Sequence, residues 1–379
     1  MTTGQPSTST ARRRYASIDW MRGIVMLLMV VDHASLAFNG NRFALDSAGS
    51  WTPGTALPPL EFSVRWLTHL CAPTFVFLAG TALAIMVERR LAKGMDPGQV
   101  DRDIVIRGVI ILLVDPILIS FGVRQLTFQV MYAIGAAMIL MAVLRKLPSS
   151  ALVALSLAWI AFGEIPTGMM WDPGQGSSSI PAAFVTAWYL TPDLKVLYPL
   201  FPWLAMMMLG WVFGRHLLDA REGKARVSPA VTMLLWGGIA LTVFLVVRYA
   251  NEYGNMFLYR EGGSILQWLH VSKYPPSMSF MGLELGVLFV TLGVLMLIEP
   301  LVTVRHNGVL LVFGQTAFFF YVVHRFVFDV SAHWFGLQGF GDLTTTMIVS
   351  LAMLMALYPC CRWYRSYKRA HPDSVLRFF

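Results

Sequence analysis

Ten apolar stretches of membrane-spanning length alternate with polar segments along the chain. They fall near 17–38, 63–88, 104–122, 126–144, 150–165, 198–214, 229–248, 278–298, 308–330 and 343–361. Each is close to the roughly 20 residues a helix needs to cross a hydrocarbon core. The fifth is short, and 180–191 reads as a re-entrant or interfacial piece, so an eleventh span stays open. The pattern predicts an all-α fold, a polytopic transmembrane helix bundle of about ten helices.

The polar segments carry an orientation signal. With the N-terminus placed in the cytoplasm, 20 of the 29 Lys and Arg residues fall on the cytoplasmic side. Basic residues collect on that side of bacterial-type membranes, and an even span number keeps the basic C-terminal tail there too. Both termini are therefore expected in the cytoplasm. The chain divides into a disordered cytoplasmic tail at 1–14, a membrane domain at 15–365 and a basic cytoplasmic tail at 366–379. The Arg12, Arg13 and Arg14 run looks like the basic start of a signal peptide. The apolar run behind it is too long and holds Asp19, Arg22, Asp32 and His33, so it is read as a retained helix.

Composition agrees: 56% of residues are hydrophobic and 13% charged, too few charges to cover a soluble surface. The net charge of +8 sits in short clusters between apolar runs rather than on one patch, so nucleic acid is not an expected partner and membrane lipid is. Cys71, Cys360 and Cys361 offer no outward-facing pair, so no structural disulfide is expected. No zinc-type spacing occurs, so no metal is expected either. The longer outside loops, 39–62, 166–197 and 249–277, contain Trp51, Trp171, Trp188, Tyr189, Tyr253, Tyr259 and Trp268. These fit interfacial anchors or a sugar-stacking surface. No internal repeat marks an inverted-repeat transporter.

Ionisable residues inside membrane helices are costly and need a partner or a function. The first span holds the densest set. Arg22, Met26, Met29 and His33 share one helix face, with Asp19 nearly in line. Arg22 and His33 are separated by roughly 16 Å along the axis at 1.5 Å per residue. Arg22 has a plain alternative, snorkelling to headgroups or pairing with Asp19 for packing. Asp32 and His33 point in different directions and need something polar to line. The topology places His69, His324 and His33 at similar depth on the outer side, His324 one turn past Tyr321. Histidine suits proton transfer near neutrality. Asp115 and Glu284 are secondary candidates. Phosphate-binding glycine loops, GxSxG and HExxH are absent from the sequence, so a phosphate ligand would need basic groups such as Arg22 and Arg107 at the inner mouth.

Several motifs in order then carry a resemblance. They are Arg14–Gly23 (RYASIDWMRG) with Met29–Ala34 (MVVDHA), Cys71–Gly80 (CAPTFVFLAG), and Phe201–Leu204 (FPWL) with Gly210, Gly214 and Arg215. Lys273–Ser277 (KYPPS) and Phe313–His324 (FGQTAFFFYVVH) follow. Over about 14–365 the chain resembles the bacterial membrane acyltransferases related to lysosomal heparan-alpha-glucosaminide N-acetyltransferase, formerly catalogued as a domain of unknown function. The resemblance implies a many-helix fold with a polar tunnel, with acetyl-CoA arriving from the cytoplasm and the acceptor from the other side. In the lysosomal relative a terminal glucosamine amine is acetylated, and a lumen-side histidine in the loop after the first helix carries the chemistry. The nearest candidate here is His33, inside the helix.

On that basis the chain is expected to move an acetyl or other acyl group from cytosolic acyl-CoA to a hydroxyl or amine of an extracytoplasmic glycan-type acceptor. His33 is the expected general base, with Asp32 or His324 orienting the acceptor or neighbouring polar groups. Asp19, Arg22 and Arg107 are the expected donor-binding residues, and His69, Lys273, Tyr274 and Tyr321 the acceptor-side ones. A covalent acyl-histidine and direct transfer both stay open. A multi-pass inner-membrane location and, by analogy, a homodimer go with this reading. The rival reading is a proton-coupled permease in which Asp32, His33, His69 and His324 form a relay. A third makes those polar groups packing elements only.

Overall fold

The computed structural model describes residues 15–371 and Ser374. The expected tail at 1–14 and the far end of the C-terminal tail lie outside the described residues. The chain is an all-α helical bundle. Its helices are α1 (Ala16–Phe38), α2 (Pro59–His69), α3 (Cys71–Leu91), α4 (Pro97–Leu112) and α5 (Ser120–Val123). Next come α6 (Val130–Leu144), α7 (Ser149–Phe162), α8 (Glu164–Met170), α9 (Ile180–Val185) and α10 (Leu200–Arg221). The last are α11 (Pro229–Ala250), α12 (Ile265–Leu269), α13 (Met278–Ile298), α14 (Val309–Gln315), α15 (Ala317–Trp334) and α16 (Leu343–Ala370).

Local sequence sets many of these limits. Pro59, Pro97 and Pro229 open helices, where a missing N–H costs nothing. The side chains of Asp96, Ser228, Ser277 and Asp342 cap the first turns of α4, α11, α13 and α16. Arg124 and Asn251 end α5 and α11 in the left-handed conformation. Asp115–Ile119, with Pro116, forms one π-helical turn between α4 and α5.

Each of the ten expected stretches lands on a helix or a broken helix. Six helical stretches are long and apolar enough to cross a membrane, or up to eight if two bent pairs count as one span each. Those pairs are α7 with α8, bent by 52°, and α14 with α15, bent by 88°. The count of ten is thus higher than length and apolarity carry. Val130–Leu144 is apolar but only 15 residues long. Leu200–Arg221 is long enough but carries Arg215, His216 and Arg221 near its end. Helices α4, α7, α11 and α16 turn large apolar residues outward, among them Val109, Leu155, Ile239 and Ile348. Such a surface suits hydrocarbon rather than water.

Helix α1 is central and touches α2, α3, α13, α14, α15 and α16. Around it pack three close pairs, α3 with α10, α4 with α6, and α11 with α13. At the end of the bundle away from the basic clusters, the long loops form a cap. Its three-stranded sheet has the order β1 (Leu126–Phe128), β3 (Leu194–Val196), β2 (Tyr189–Leu190). Strand β1 runs parallel to β3, with Leu126 opposite Leu194, and β2 runs antiparallel to it. Trp171 and Trp188 make one small core of the cap, and Trp51 with Phe43, Phe62 and Leu258 another. All three tryptophans are buried inside the cap rather than standing out as interfacial anchors, and Trp51 also lines a cavity beside Pro173 and Gly176. Buried Arg248 holds the cap with five hydrogen bonds to Trp268, Asn255, Leu258, Gln267 and His270.

Candidate active site

Two polar clusters sit at opposite ends of α1, and a cavity runs from the basic one to Tyr321. At the capped end, the Asp32 carboxylate accepts hydrogen bonds from Arg42 (2.8 Å), Arg65 (2.9 Å) and the Thr68 hydroxyl (2.8 Å). Arg65 also donates to Asp46 at 2.6 Å and to the Tyr274 hydroxyl at 3.3 Å. Arg65, Asp46 and Thr68 are all buried. The cap loop is stitched on through Asp46, whose carbonyl accepts from the backbone N–H of Lys273 at 2.9 Å. Burial opposes ionisation of Asp46, but Arg65, His69 and Lys273 around it hold its carboxyl well below the usual range. For Tyr274, burial likewise works against ionisation and is outweighed by Lys273 and Arg65, so its hydroxyl is held below the ordinary tyrosine value.

His33 lies on the other side of α1 and pairs with His324. Its Nδ1 is 2.8 Å from His324 Nε2, and the rings stack at 5.0 Å and 18°. His324 is fully buried, and its Nδ1 lies 2.6 Å from the Phe320 carbonyl. A carbonyl only accepts, so Nδ1 of His324 carries a hydrogen and the neutral ring has its lone pair on Nε2. His33 must then donate from Nδ1, which leaves its own Nε2 as the basic nitrogen. Tyr321 stands edge-on to both imidazoles, 5.9 Å from each. Its hydroxyl is buried without a hydrogen-bond partner among the described residues. One turn further on, Arg325 and Asp329 form a buried ion pair at 2.8 Å. On β3, half-buried Lys195 is pushed down to about 8 by burial and by the nearby Arg325 charge.

At the basic end, Asp19 accepts from Arg22 at 3.3 Å and from Gln315 at 3.3 Å, while Arg22 donates to the Leu78 carbonyl at 3.1 Å. The 88° break at Thr316 lets this happen. Helix α14 lies so close on α1 that a Cβ at Gly314 would overlap the Asp19 carbonyl, so only glycine fits. A cavity of about 230 Å³ runs between α1, α3, α4, α6 and the break. Arg22, Arg107 and Lys368 line its basic end and Tyr321 its far end, beside the histidine pair. Arg107 Nε has no hydrogen-bond partner among the described residues. A second cavity of about 440 Å³ shares Arg22 and opens among Arg89, Arg90, Arg221 and Asp19.

The structure thus brings His33, His324 and Tyr321 together, and separately Asp19, Arg22 and Arg107. It does not bring His69 to the His33–His324 pair. His69 faces Asp46 at 3.4 Å and the Phe280 ring, on the far side of Arg65. Asp32 serves the arginines rather than His33. Lys273 is buried and Tyr274 half-buried in the wall between cap and bundle. Asp115 accepts the N–H groups of Gln129 (2.6 Å) and Tyr132 (2.8 Å) and so caps α6. Sequence reasoning missed Arg65, Arg325 and Asp329, although each falls inside an expected span where a charge is a signal. Arg42 and Asp46 lie in a loop and Lys195 on β3 of the cap, outside the expected spans, where nothing marked them.

The model of a family described as heparan-alpha-glucosaminide N-acetyltransferase, catalytic, matches residues 14–248. The matched stretch includes Asp19, Arg22, Asp32, His33, Arg65 and Arg107 and ends before Tyr321 and His324. No curated protein matches the chain.

Proposed function

The chain belongs to the heparan-alpha-glucosaminide N-acetyltransferase catalytic family, and from that premise we propose that it transfers an acetyl or other acyl group from cytosolic acyl-CoA to an extracytoplasmic amine or hydroxyl. The observation that carries this is the cavity from Arg22, Arg107 and Lys368 to Tyr321 at the histidine pair. Its basic mouth suits the phosphates of the donor. Its volume of about 230 Å³ suits the pantetheine arm, and the roughly 16 Å rise from Arg22 to His33 is close to that arm's reach. The adjoining cavity, ringed by Arg89, Arg90 and Arg221, has room for the nucleotide end. The basic end faces the cytoplasm in this reading, which fits a multi-pass protein of a bacterial inner membrane.

The chemistry follows from the hydrogen bonds. His33 Nε2 takes a proton from the acceptor amine or hydroxyl as that atom attacks the thioester carbonyl. The imidazolium formed is stabilised through Nδ1–H by the lone pair on His324 Nε2, whose own orientation is fixed by the Phe320 carbonyl. Tyr321 has a hydroxyl with no other partner and donates it to the oxygen that becomes negative. Collapse of the tetrahedral species breaks the C–S bond, and His33 returns its proton to the departing CoA thiolate. Asp32, through Arg42 and Arg65, keeps the cap closed over this centre. The acceptor class is a glycan with a free amine or hydroxyl.

Sealed proteoliposomes separate this from a permease using the same histidines. With acetyl-CoA added at the basic face and glucosamine inside, label from the acetyl group should appear inside on glucosamine while adenine label stays outside. Both labels crossing together, or neither binding, would place the chain among transporters.

A further inference from the structure

Another, wholly different cleft lies between α7, α10, α11 and α13. It has a volume of about 320 Å³ and is lined by Leu157, Val212, Phe213, Ile239, Val243 and Leu285 among other apolar residues. Its polar lining residues, His216 and Thr232, bond to each other at 3.1 Å. From Thr232 to Val243 the cleft follows α11 for roughly 16 Å at 1.5 Å per residue, about half of a ~30 Å hydrocarbon core. Helix α11 qualifies as a membrane span with only 28% of its apolar window buried, so the cleft opens sideways into lipid. The polar end coincides with the basic α10–α11 turn. There Arg215 is committed to Glu88 and Lys224 to Glu222, while Arg226 stands exposed two residues before the capping Ser228.

We propose that this cleft is a binding site for an anionic phospholipid of the cytoplasmic leaflet, one acyl chain in the apolar slot and the phosphate at Arg226. The depth equals one leaflet, the wall is apolar, and cationic charge sits at headgroup level, where juxtamembrane arginine favours anionic lipid. A helix from a second copy is the poorer occupant, because an apolar helix would leave the exposed Arg226 charge at the polar end without an anionic partner. The proposal is independent of the acyl-transfer reading.

The test is native mass spectrometry of the full chain in mild detergent, delipidated and then titrated with phosphatidylglycerol or phosphatidylethanolamine. Wild type should retain phosphatidylglycerol preferentially. Val243→Trp, which fills the slot, should lower retention of both lipids by more than about tenfold, since each buried methylene adds to affinity. Arg226→Gln, on an exposed side chain, should leave the fold intact and reduce the preference for phosphatidylglycerol roughly fivefold. Equal retention of the two lipids by wild type, or an unchanged preference in Arg226→Gln, overturns the headgroup assignment. Unchanged retention in folded Val243→Trp overturns the slot, and a dimer lost in Val243→Trp reassigns it to a contact between copies.

Discussion

Asp32 and His33 are neighbours in sequence with separate tasks. The step of roughly 100° between consecutive helical residues sends Asp32 into Arg42, Arg65 and Thr68 and His33 into His324. His33→Ala should therefore lower acyl transfer by about 10²–10⁴-fold and leave donor binding unchanged, as read by turnover and by titration of acetyl-CoA. Tyr321→Phe keeps the ring packing and removes only the unpartnered hydroxyl. Turnover should fall roughly 10²–10³-fold, the effect of losing one oxyanion donor, with little change in melting temperature. Lys195 gives a pH signature. Its amine is depressed to about 8 in the folded chain, so between about 8 and the ordinary lysine value the unfolded chain binds the extra proton. Stability should rise with pH across that window. Lys195→Met should raise stability at pH 7, by roughly 1 kcal/mol for a half-exposed, screened group, and should no longer gain at pH 10. Of this site, His33 and His324 were legible because the topology put them at similar depth, and Tyr321 because the helix period sets it one turn before His324. The same argument gave the depth of His69 but not its partners, Asp46 and the Phe280 ring, since depth alone does not tell which way a ring faces.

At the scale of elements, the apolar runs located the helices but not their breaks. The 88° turn at Thr316 falls inside an otherwise apolar run, marked only by Gly314, Gln315 and Thr316, and no proline stands there to announce it. What fixes it is contact: α14 lies on α1 at Gly314 and Gly23, and the chain must then turn to send Tyr321 and His324 upward. Gly314→Leu should push α14 off α1, separate Gln315 from Asp19 and weaken acetyl-CoA binding before it affects the cap. Gly210 plays the same part between α10 and α3, where a Cβ would strike the Phe77 carbonyl. A large side chain there should cost about 1–3 kcal/mol or more, seen as a lower melting temperature in detergent.

Over the whole molecule, Arg65 is the joint between bundle and cap. It joins Asp32 on α1, Asp46 in the first loop and Tyr274 before α13. Removing one partner of a buried ionic network costs roughly 3–5 kcal/mol, so Arg65→Ala should yield a chain whose cap loops are cut by protease while the helices survive. Loop charges of this kind had no periodicity to reveal them, whereas the basic clusters at the opposite end were plain from the spacing of Arg and Lys between apolar runs. That asymmetry, cationic mouth at one end and histidine pair toward the other, is the core of the account. Calorimetric titration of acetyl-CoA against the purified full chain, beside Arg22→Ala and His33→Ala, tests it most directly. The account predicts saturable binding by wild type and His33→Ala, weakened about 10–100-fold in Arg22→Ala as expected for a lost charge-assisted hydrogen bond. Folded wild type that binds no acetyl-CoA would contradict it.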